Sequence, residues 1–315
     1  MVSKKITVIG AGNVGATCAN ILATRNIVSE IVLLDVKKDL AEGKAIDIMQ
    51  SATLLGINTH VKGVTDDYFA TENSDVVIIT SGIPRKPGMT REELLGVNKE
   101  IVVSVLERIF KHSPKTILII ISNPMDAMCF LANCAFKVLR NRVIGLGGVL
   151  DSARFKYYLS EALQVNAHDI EATVIGGHGD TTMVPLVSRA TYKGTPVTEL
   201  LPKEKLDEVV AATKIGGATL TGLLGISAWY APGAAAAMMV ECIVNDTKTI
   251  LPCSVMLDGE YDQYAVSIGV PVVLGVKGWE KIVQLTLSKE EEREFELSVR
   301  ATERVNRILS GQKVY

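Results

Sequence analysis

The fold is decided by a short segment near the start of the chain, Lys5-Ile6-Thr7-Val8-Ile9-Gly10-Ala11-Gly12-Asn13-Val14-Gly15. Its apolar, β-branched run predicts a strand over Lys5–Ile9, and the small and apolar residues that follow predict a helix over Asn13–Ala23. Between them, the first glycine permits a tight turn, the second lets the backbone approach a pyrophosphate, and the third lets helix and strand pack closely. Because N–H groups at a helix start attract phosphate, we predict that residues 10–15 bind a dinucleotide.

A carboxylate stands at the end of the second predicted strand, Glu30–Asp35. Asp35 lies about 20 residues after Gly15, the spacing at which an acidic side chain meets the adenosine ribose. It can accept hydrogen bonds from both ribose hydroxyls and would repel a 2′-phosphate, so NAD is favoured over NADP. The alternative is an ordinary glycine turn with a surface aspartate that ends a strand.

The rest of the first half alternates between strand and helix patterns. Continuous Val and Ile runs are typical of strands covered on both faces, and intervening helices indicate βαβ crossovers. We therefore predict an α/β fold, with a Rossmann-type doubly wound parallel sheet as a dinucleotide-binding domain over residues 1–145. An α+β substrate-binding and catalytic domain is expected over residues 146–315. The further first-half predictions are a helix over Asp39–Leu55 and strands over Val61–Val64, Asp75–Thr80 and Thr116–Ile121.

The second half is less regular. A Ser288/Glu291 capping box predicts the start of the terminal helix, whose apolar stripe includes Phe295 and Val299. The other predicted elements are helices over Asp151–Leu163, Leu206–Leu224 and Gly233–Val244, and strands over Ile170–Ile175, Ser254–Leu257 and Val270–Leu274.

Composition excludes several classes of protein. The 315 residues are 48% apolar with a net charge of -2, which argues against a nucleic-acid binder, a disordered chain or a polyanionic tail. No apolar stretch reaches the roughly 18 residues of a membrane span. The apolar run after Lys4 and Lys5 resembles an export signal, but its glycines interrupt it. Five cysteines without a CxxC pair predict neither disulfides nor a metal site, and favour the cytoplasm.

Only four histidines are present, which shortens the search for a proton-transfer group. His60, His112 and His168 fall near element ends or in polar turns and are interpreted as surface or capping residues. His178 differs because it lies in Gly176-Gly177-His178-Gly179-Asp180 after an apolar strand. The adjacent glycines let a substrate approach the side chain closely, and histidine suits proton transfer near neutral pH.

Arginine side chains are the natural partners of a substrate carboxylate, because their planar fork binds two oxygens at once. The candidates are Arg85, Arg91 and Arg154. Taken singly, each could instead be a solvated surface charge.

Six segments in order give the chain a family resemblance. It resembles the lactate/malate dehydrogenase superfamily, specifically the lactate-dehydrogenase-like type of malate dehydrogenase, over nearly its whole length. The resemblance implies NAD-dependent oxidation of (S)-malate in the tricarboxylic acid cycle. The segments are GAGNVG with Asp35, GIPRKPGMTREELLGVN, ISNPMD, GLGGVLDSARFKYYL, IGGHGDTTMVP and SAWYAPG.

The resemblance also implies roles for individual residues. His178 would accept the hydroxyl proton, and Asp151 would orient and stabilise its imidazole. Arg154 would hold the carboxylate next to the reacting carbon. Arg91 would polarise the carbonyl oxygen, and Asn123 would help to position it.

Further positions are implied to contact the cofactor, namely Asn98, Ile121, Ser122 and Asn123. The resemblance implies a cis peptide bond at Asn123–Pro124 and a loop over Pro84–Arg91 that closes on the substrate.

By the same resemblance, Arg85 indicates the substrate. Malate dehydrogenases carry Arg at this position, whereas lactate dehydrogenases typically carry Gln or Lys. A buried second carboxylate needs a partner, and leaving it unpaired would cost several kcal/mol. Arg85 would pair with that carboxylate of malate or oxaloacetate.

Three rival functions stay open on the sequence. A lactate dehydrogenase would share the same machinery, and an NAD-dependent glycosidase would need a metal held by Cys and His. A non-catalytic NAD sensor would need only residues 10–15 and Asp35. The resemblance also implies a homodimer or homotetramer, for which the helices Asp39–Leu55 and Leu206–Leu224 offer apolar faces.

Overall fold

The computed structural model describes residues 4–83 and 91–309, apart from the side chains of residues 91 and 92. Strands and helices alternate through the first half, and longer antiparallel strands follow in the second. In chain order the elements are β1 (Lys5–Ile9), α1 (Asn13–Arg25), β2 (Glu30–Asp35), α2 (Leu40–Leu55), β3 (His60–Thr65), β4 (Val76–Ile79), α3 (Arg91–His112), β5 (Ile117–Ile120), α4 (Met125–Ala135), β6 (Val143–Gly145), α5 (Gly147–Leu163), β7 (Ile170–Glu171), β8 (Val174–Gly176), β9 (Met183–Pro185), β10 (Thr191–Tyr192), β11 (Thr195–Pro196), α6 (Val197–Leu200), α7 (Lys203–Leu224), α8 (Tyr230–Val244), β12 (Thr249–Asp258), β13 (Tyr264–Gly275), β14 (Gly278–Ile282) and α9 (Lys289–Leu309).

The first-half strands form a parallel sheet in the order β3-β2-β1-β4-β5-β6. The order of the strands reverses at β1: β2 and β3 are added on one side of it, and β4, β5 and β6 are added on the other. Every side chain of β4 and β5 is buried, because helices cover both faces. The predicted doubly wound Rossmann-type sheet is confirmed.

The same sheet continues into the second half of the chain. Gly145 at the end of β6 pairs with Ser254 of β12, and β13, β8 and β9 extend the sheet beyond β12 in antiparallel pairs. Helix α1 packs closely on α8, where a Cβ on Gly233 would lie 2.7 Å from Cγ2 of Thr17. The two halves therefore share one continuous sheet, and the division at residue 145 stays a prediction.

The single strand predicted over Ile170–Ile175 is wrong. Residues 170–171 form β7, which pairs with β10 in a separate small sheet, whereas β8 belongs to the main sheet. At the break, the N–H of Val174 donates to Oγ of Ser152 on α5, at 2.8 Å. A side chain from a distant helix therefore supplies a bond that a continuous strand would have made with a neighbouring strand.

Helix α5 begins at Gly147, earlier than the predicted start at Asp151. A Cβ on Gly148 would lie 2.8 Å from the carbonyl oxygens of both Pro252 and Val174. Paired glycines usually weaken a helix prediction, but here they let the first turn of α5 pack directly against β12 and β8. Asp151 consequently lies within the helix.

The predicted capping box at the start of α9 is confirmed. The N–H of Ser288 donates to Glu291 Oε2 at 2.9 Å, and the N–H of Glu291 donates to Ser288 Oγ at 3.3 Å. Glu291 also accepts the hydroxyl of Ser188 at 2.8 Å, so the cap joins α9 to the body of the protein.

Three further observations concern possible cross-links, metals and membranes. All five cysteines are unpaired. Within residues 4–83 and 91–309, no three His, Cys, Asp or Glu side chains are grouped to hold a metal ion. No helix in this part of the chain is both long and apolar enough to cross a bilayer.

Candidate active site

The glycine turn after β1 has the geometry that its sequence predicts. Gly10 has φ +101°, and a Cβ there would lie 2.6 Å from Oγ1 of Thr80. A Cβ on Gly15 would overlap the carbonyl oxygen of Gly10, whereas one on Gly12 would have no neighbour within 4 Å among the described residues. The first and third glycines are therefore required by close packing within the protein, and the second faces open space.

Helix α1 begins at this open space. Gly12 is its N-cap, and as a glycine it has no side chain to bond the first N–H groups of the helix. Ala11 is buried, Gly12 and Asn13 are exposed, and Val14 is half-buried. Free N–H groups at an exposed helix start suit a phosphate group, so the turn fits a dinucleotide.

Asp35 lies beside this turn at the end of β2. Its Oδ2 accepts the N–H of Ala11 at 2.7 Å, and its Oδ1 accepts the N–H of Lys37 at 2.8 Å. Each carboxylate oxygen can accept a further bond, so two ribose hydroxyls have acceptors available. The carboxylate is half-buried and fixed against the turn.

Two side chains of α5 and one from the loop after β8 meet near the start of α5. His178 Nδ1 lies 2.7 Å from Oδ2 of Asp151, and Arg154 Nη1 donates to Oδ1 of the same carboxylate at 3.1 Å. The Asp151 side chain is 2% exposed, against 15% for His178 and 14% for Arg154. Each carboxylate oxygen therefore has one partner, and the imidazole has a fixed orientation.

The charges around the imidazole set its proton affinity. Burial by itself lowers the pKa of His178, but the groups that raise it, chiefly the charge and hydrogen bond of Asp151, together outweigh burial, so the pKa lies above its ordinary value of 6.5. The charge of Asp126 acts in the same direction as that of Asp151, and the charge of Arg154 opposes both. His178 is therefore suited to hold a proton and release it near neutral pH.

Asn98 connects two segments that follow strands. Its Nδ2 donates to the carbonyl oxygen of Asn123 at 2.7 Å and to that of Ile83 at 3.3 Å, while its Oδ1 accepts the N–H of Ile83 at 2.9 Å. The side chain is 1% exposed. Asn98 thus fixes the loop after β4 against the turn after β5, and a contact with the cofactor stays a prediction.

The Ile121-Ser122-Asn123 turn follows β5. The Ser122 hydroxyl donates to the carbonyl oxygen of Ser81, Ile121 is half-buried, and Asn123 is exposed. The Asn123–Pro124 peptide bond is cis, as the resemblance implies.

Two predicted substrate residues are not placed. Arg85 lies outside the described residues. Arg91 is the first residue of α3, but its side chain also lies outside them.

The other three histidines lie elsewhere, as the sequence predicts. His60 and His168 are exposed, and the ring of His112 packs edge-on against Phe69 with centroids 5.9 Å apart.

Sequence reasoning missed two residues that hold the His178 loop. Asp126 Oδ2 accepts the backbone N–H of His178 at 2.6 Å, and Ser298 Oγ accepts that of Gly177 at 2.8 Å. Asp126 lies inside the quoted ISNPMD segment, which was a usable signal. Ser298 lies on α9, and its place in an amphipathic helix pattern gave no such signal.

The similarity of this chain to known proteins agrees with this geometry. Models of lactate/malate dehydrogenase domains match residues 4–145, as the NAD binding domain, and residues 148–305, as the alpha/beta C-terminal domain. A malate dehydrogenase of Bacteroides thetaiotaomicron is 60% identical over 305 residues, 97% of each chain. The solved malate dehydrogenase of Salinibacter ruber has a TM-score of 0.93 at 43% identity, covering 98% of each chain.

A solved lactate dehydrogenase of Cryptosporidium parvum, complexed with lactic acid and nicotinamide adenine dinucleotide, has a TM-score of 0.94 at 35% identity. It covers 99% of this chain and 100% of its own. Both the malate and the lactate branches thus share this architecture throughout. The chain belongs to the lactate/malate dehydrogenase family.

Proposed function

We propose that the protein is an NAD-dependent malate dehydrogenase that oxidises (S)-malate reversibly to oxaloacetate. The observation that carries the proposal is the buried Asp151 carboxylate, shared by His178 at 2.7 Å and Arg154 at 3.1 Å. This arrangement combines a proton acceptor with a carboxylate-binding cation. The malate dehydrogenases that match over nearly the full chain agree with it.

Residues 10–15, Asp35, Asn98 and the Ile121–Asn123 turn are proposed to hold NAD. The open face at Gly12 takes the pyrophosphate, and Asp35 accepts the ribose hydroxyls. When bound, NAD supplies the acceptor for the hydride that leaves the substrate carbon. The chain's own residues must therefore bind the acid, move one proton and orient the reacting carbon.

His178 is proposed to move that proton. Its Nδ1 faces Asp151, which leaves Nε2 as the acceptor for the hydroxyl proton of malate. As the proton arrives, the imidazole becomes positively charged, and Asp151 stabilises that charge. In the reverse direction the same nitrogen returns the proton to the oxygen of oxaloacetate.

Arg154 is proposed to hold the carboxylate adjacent to the reacting carbon. One of its N–H groups is used by Asp151, but a guanidinium has five donors in a fixed plane, so others stay available for the substrate. Gly217 of α7 lies beside it, where a Cβ would be 3.5 Å from Nη2. The guanidinium is thus confined between α5 and α7.

The choice of malate over lactate rests on Arg85. We propose that Arg85 pairs with the second carboxylate of malate, that Arg91 polarises the reacting carbonyl, and that Asn123 helps to position it. The backbone fold alone does not distinguish a malate dehydrogenase from a lactate dehydrogenase, because the Cryptosporidium parvum lactate dehydrogenase has the same architecture at a TM-score of 0.94. Lactate dehydrogenase is therefore the second candidate function.

A panel of 2-keto acids, assayed with NADH and with NADPH, tests the proposal. We expect oxaloacetate to be preferred over pyruvate by about 10⁴-fold in kcat/KM, with NADH as the preferred reductant. The Arg85→Gln variant should narrow that ratio. A preference for pyruvate would show that the protein is a lactate dehydrogenase instead. If no 2-keto acid supports oxidation of NADH, the protein would be better explained as a non-catalytic NAD sensor.

The same proposal assigns a role to each predicted domain and a cellular compartment to the protein. Residues 1–145 provide the cofactor site, and residues 146–315 provide Asp151, Arg154 and His178. Five unpaired cysteines suit the reducing cytoplasm. We expect no nucleic-acid or membrane partner.

A homodimer or homotetramer is proposed from exposed apolar side chains. Ile46, Leu54 and Leu55 lie on α2, and Ile215 and Leu223 lie on α7. Exposed apolar side chains of this size are expected at protein–protein interfaces when they form a continuous patch. Sedimentation equilibrium measures the state directly, and a monomer at micromolar concentration would contradict the proposal.

A further inference from the structure

The loop that carries His178 is closed at its base by a hydroxyl group from the last helix. Strands β8 and β9 pair in antiparallel register as far as Gly176, so Gly177 and Thr182 would form the next pair of a longer hairpin. At this point Ser298 Oγ accepts the N–H of Gly177 at 2.8 Å and donates to the carbonyl oxygen of Thr182 at 2.7 Å. A single side chain of α9 therefore joins the two strands where the loop begins and ends.

A second hydroxyl group acts at the same point from within the loop. Thr182 Oγ1 donates to the carbonyl oxygen of Gly177 at 3.0 Å and lies 3.1 Å from that of Gly179. The backbone N–H of Thr182 donates to the carbonyl oxygen of Gly179 at 2.8 Å. Hydroxyl groups thus occupy the position where a longer hairpin would have continued to pair directly.

The space around the bridging hydroxyl is tightly filled. Ser298 is 2% exposed, and a Cβ on Gly176 would lie 3.0 Å from its Oγ and 2.5 Å from the carbonyl oxygen of Thr182. Removal of this hydroxyl would deprive the buried N–H of Gly177 of its partner, which costs free energy. The backbone at the base of the loop would have to move to recover a hydrogen bond.

The bridging hydroxyl lies next to the imidazole along the chain. His178 directly follows the residue whose N–H Ser298 accepts, and its Nδ1 lies 2.7 Å from Oδ2 of Asp151. The charged groups that act on the imidazole are Asp151 and Arg154 on α5 and Asp126 on α4. Ser298 adds no charge to them, so its effect on the imidazole must come through the position of the backbone. A movement of that backbone would carry the imidazole away from a carboxylate that is fixed within a helix.

We propose that Ser298 is a positioning residue for His178: by joining β8 to β9 it sets the distance between the imidazole and Asp151. This inference rests on the proposed function for the role of His178 in turnover. Because the contact with Asp151 raises the pKa of His178, a loosened loop weakens that contact and lowers the pKa. In malate oxidation, a displaced Nε2 also meets the substrate hydroxyl less often, which lowers kcat and leaves the binding of the acid by Arg154 unchanged.

Ser298→Ala removes the bridging hydroxyl, and Thr302→Val is the matched control on the same helix. Thr302 Oγ1 would lie 3.0 Å from a Cβ on Gly177, but it donates within α9, to the carbonyl oxygen of Ser298 at 3.0 Å. Valine keeps the shape of this side chain and removes a hydroxyl that does not join the two strands. Thr182→Val is a second test, because it removes the other hydroxyl that acts at the base of the loop.

The readout is the pKa of the His178 ring, measured by NMR of protein labelled at histidine Cε1. Only four histidine signals are expected per chain, and His178→Asn identifies the relevant one. Ser298→Ala should lower the pKa of His178 by about half a unit, because a more distant opposite charge stabilises the imidazolium less. Thr182→Val should lower it in the same direction, and Thr302→Val should leave it unchanged. In an active enzyme, Ser298→Ala should also reduce kcat for malate oxidation about tenfold, with KM for malate and NADH affinity unchanged.

Unfolding temperature and NADH binding show whether each variant is folded. An unchanged pKa of His178 in folded Ser298→Ala would overturn the inference, as would an equal shift in Thr302→Val. If Ser298→Ala does not fold, Thr182→Val decides, and an unchanged pKa in that variant would overturn the inference. The NMR titration needs no substrate, so its result stands even if the substrate panel rejects malate.

Discussion

The cofactor turn and the His178 loop both depend on glycines, but they are built differently. In the cofactor turn, glycines 10, 12 and 15 lie in one short segment and shape its backbone. Asp35 accepts the N–H of Ala11 in this segment at 2.7 Å. In the His178 loop, Gly176 supplies a positive φ of +87°, and side chains from other elements fix the rest of the geometry. The contacts come from Asp126 on α4, Asp151 on α5 and Ser298 on α9.

The two halves of the site are therefore sensitive to different substitutions. A change in the turn affects packing within β1 and α1, and therefore both stability and cofactor binding. A change around His178 affects one orientation and one proton affinity, and should leave the cofactor half intact. The substitutions below test that separation, beginning with the largest expected effect.

The largest effect is expected from His178→Asn. Loss of the proton acceptor should reduce kcat for malate oxidation by about 10³-fold, while NADH binding, measured by fluorescence titration, stays as in the parent enzyme. Parallel loss of NADH binding would show that the two halves are not separable.

Gly15→Ala and Gly12→Ala form a matched pair within the turn. A methyl group on Gly15 would overlap the carbonyl oxygen of Gly10, so overpacking should lower the free energy of unfolding by about 2 kcal/mol. A methyl group on Gly12 has no neighbour within 4 Å in the described part of the chain, so stability should be unchanged while NADH affinity falls about tenfold, or 1.4 kcal/mol. Denaturant unfolding and NADH titration distinguish the two. Equal destabilisation by both changes would contradict the account of the turn.

A smaller effect is expected from Asp35→Asn. The amide removes the charge that repels a 2′-phosphate and keeps one acceptor oxygen. We expect NADPH affinity to rise by less than about tenfold, or 1.4 kcal/mol, with little change in kcat. If NADPH binding is unaltered, Asp35 does not set the cofactor preference.

The cofactor half was predictable because its information is local. The turn, the strand before it and Asp35 lie on consecutive elements, and the predicted bounds of β1 and β2 match the structure. Parallel strands then place such residues at one edge of the sheet without further knowledge.

The catalytic half was only partly predictable. His178 and Asp151 came from the glycine setting and the family resemblance, whereas the contacts of Asp126 and Ser298 depend on how α4 and α9 pack against the loop. The strand predicted over Ile170–Ile175 failed for the same reason, because the hydroxyl of Ser152 takes the N–H of Val174. Side chains that bond to a distant backbone leave no periodic pattern in the sequence.

The most direct test of the central claim, that Asp151 sets the proton affinity of His178, is the pH dependence of kcat/KM for malate. Malate oxidation needs the neutral imidazole, and Asp151 keeps the pKa of His178 above 6.5. The rate should therefore rise with pH through a midpoint above 6.5, and Asp151→Asn should move that midpoint to lower pH. A midpoint that does not move in Asp151→Asn would contradict the account.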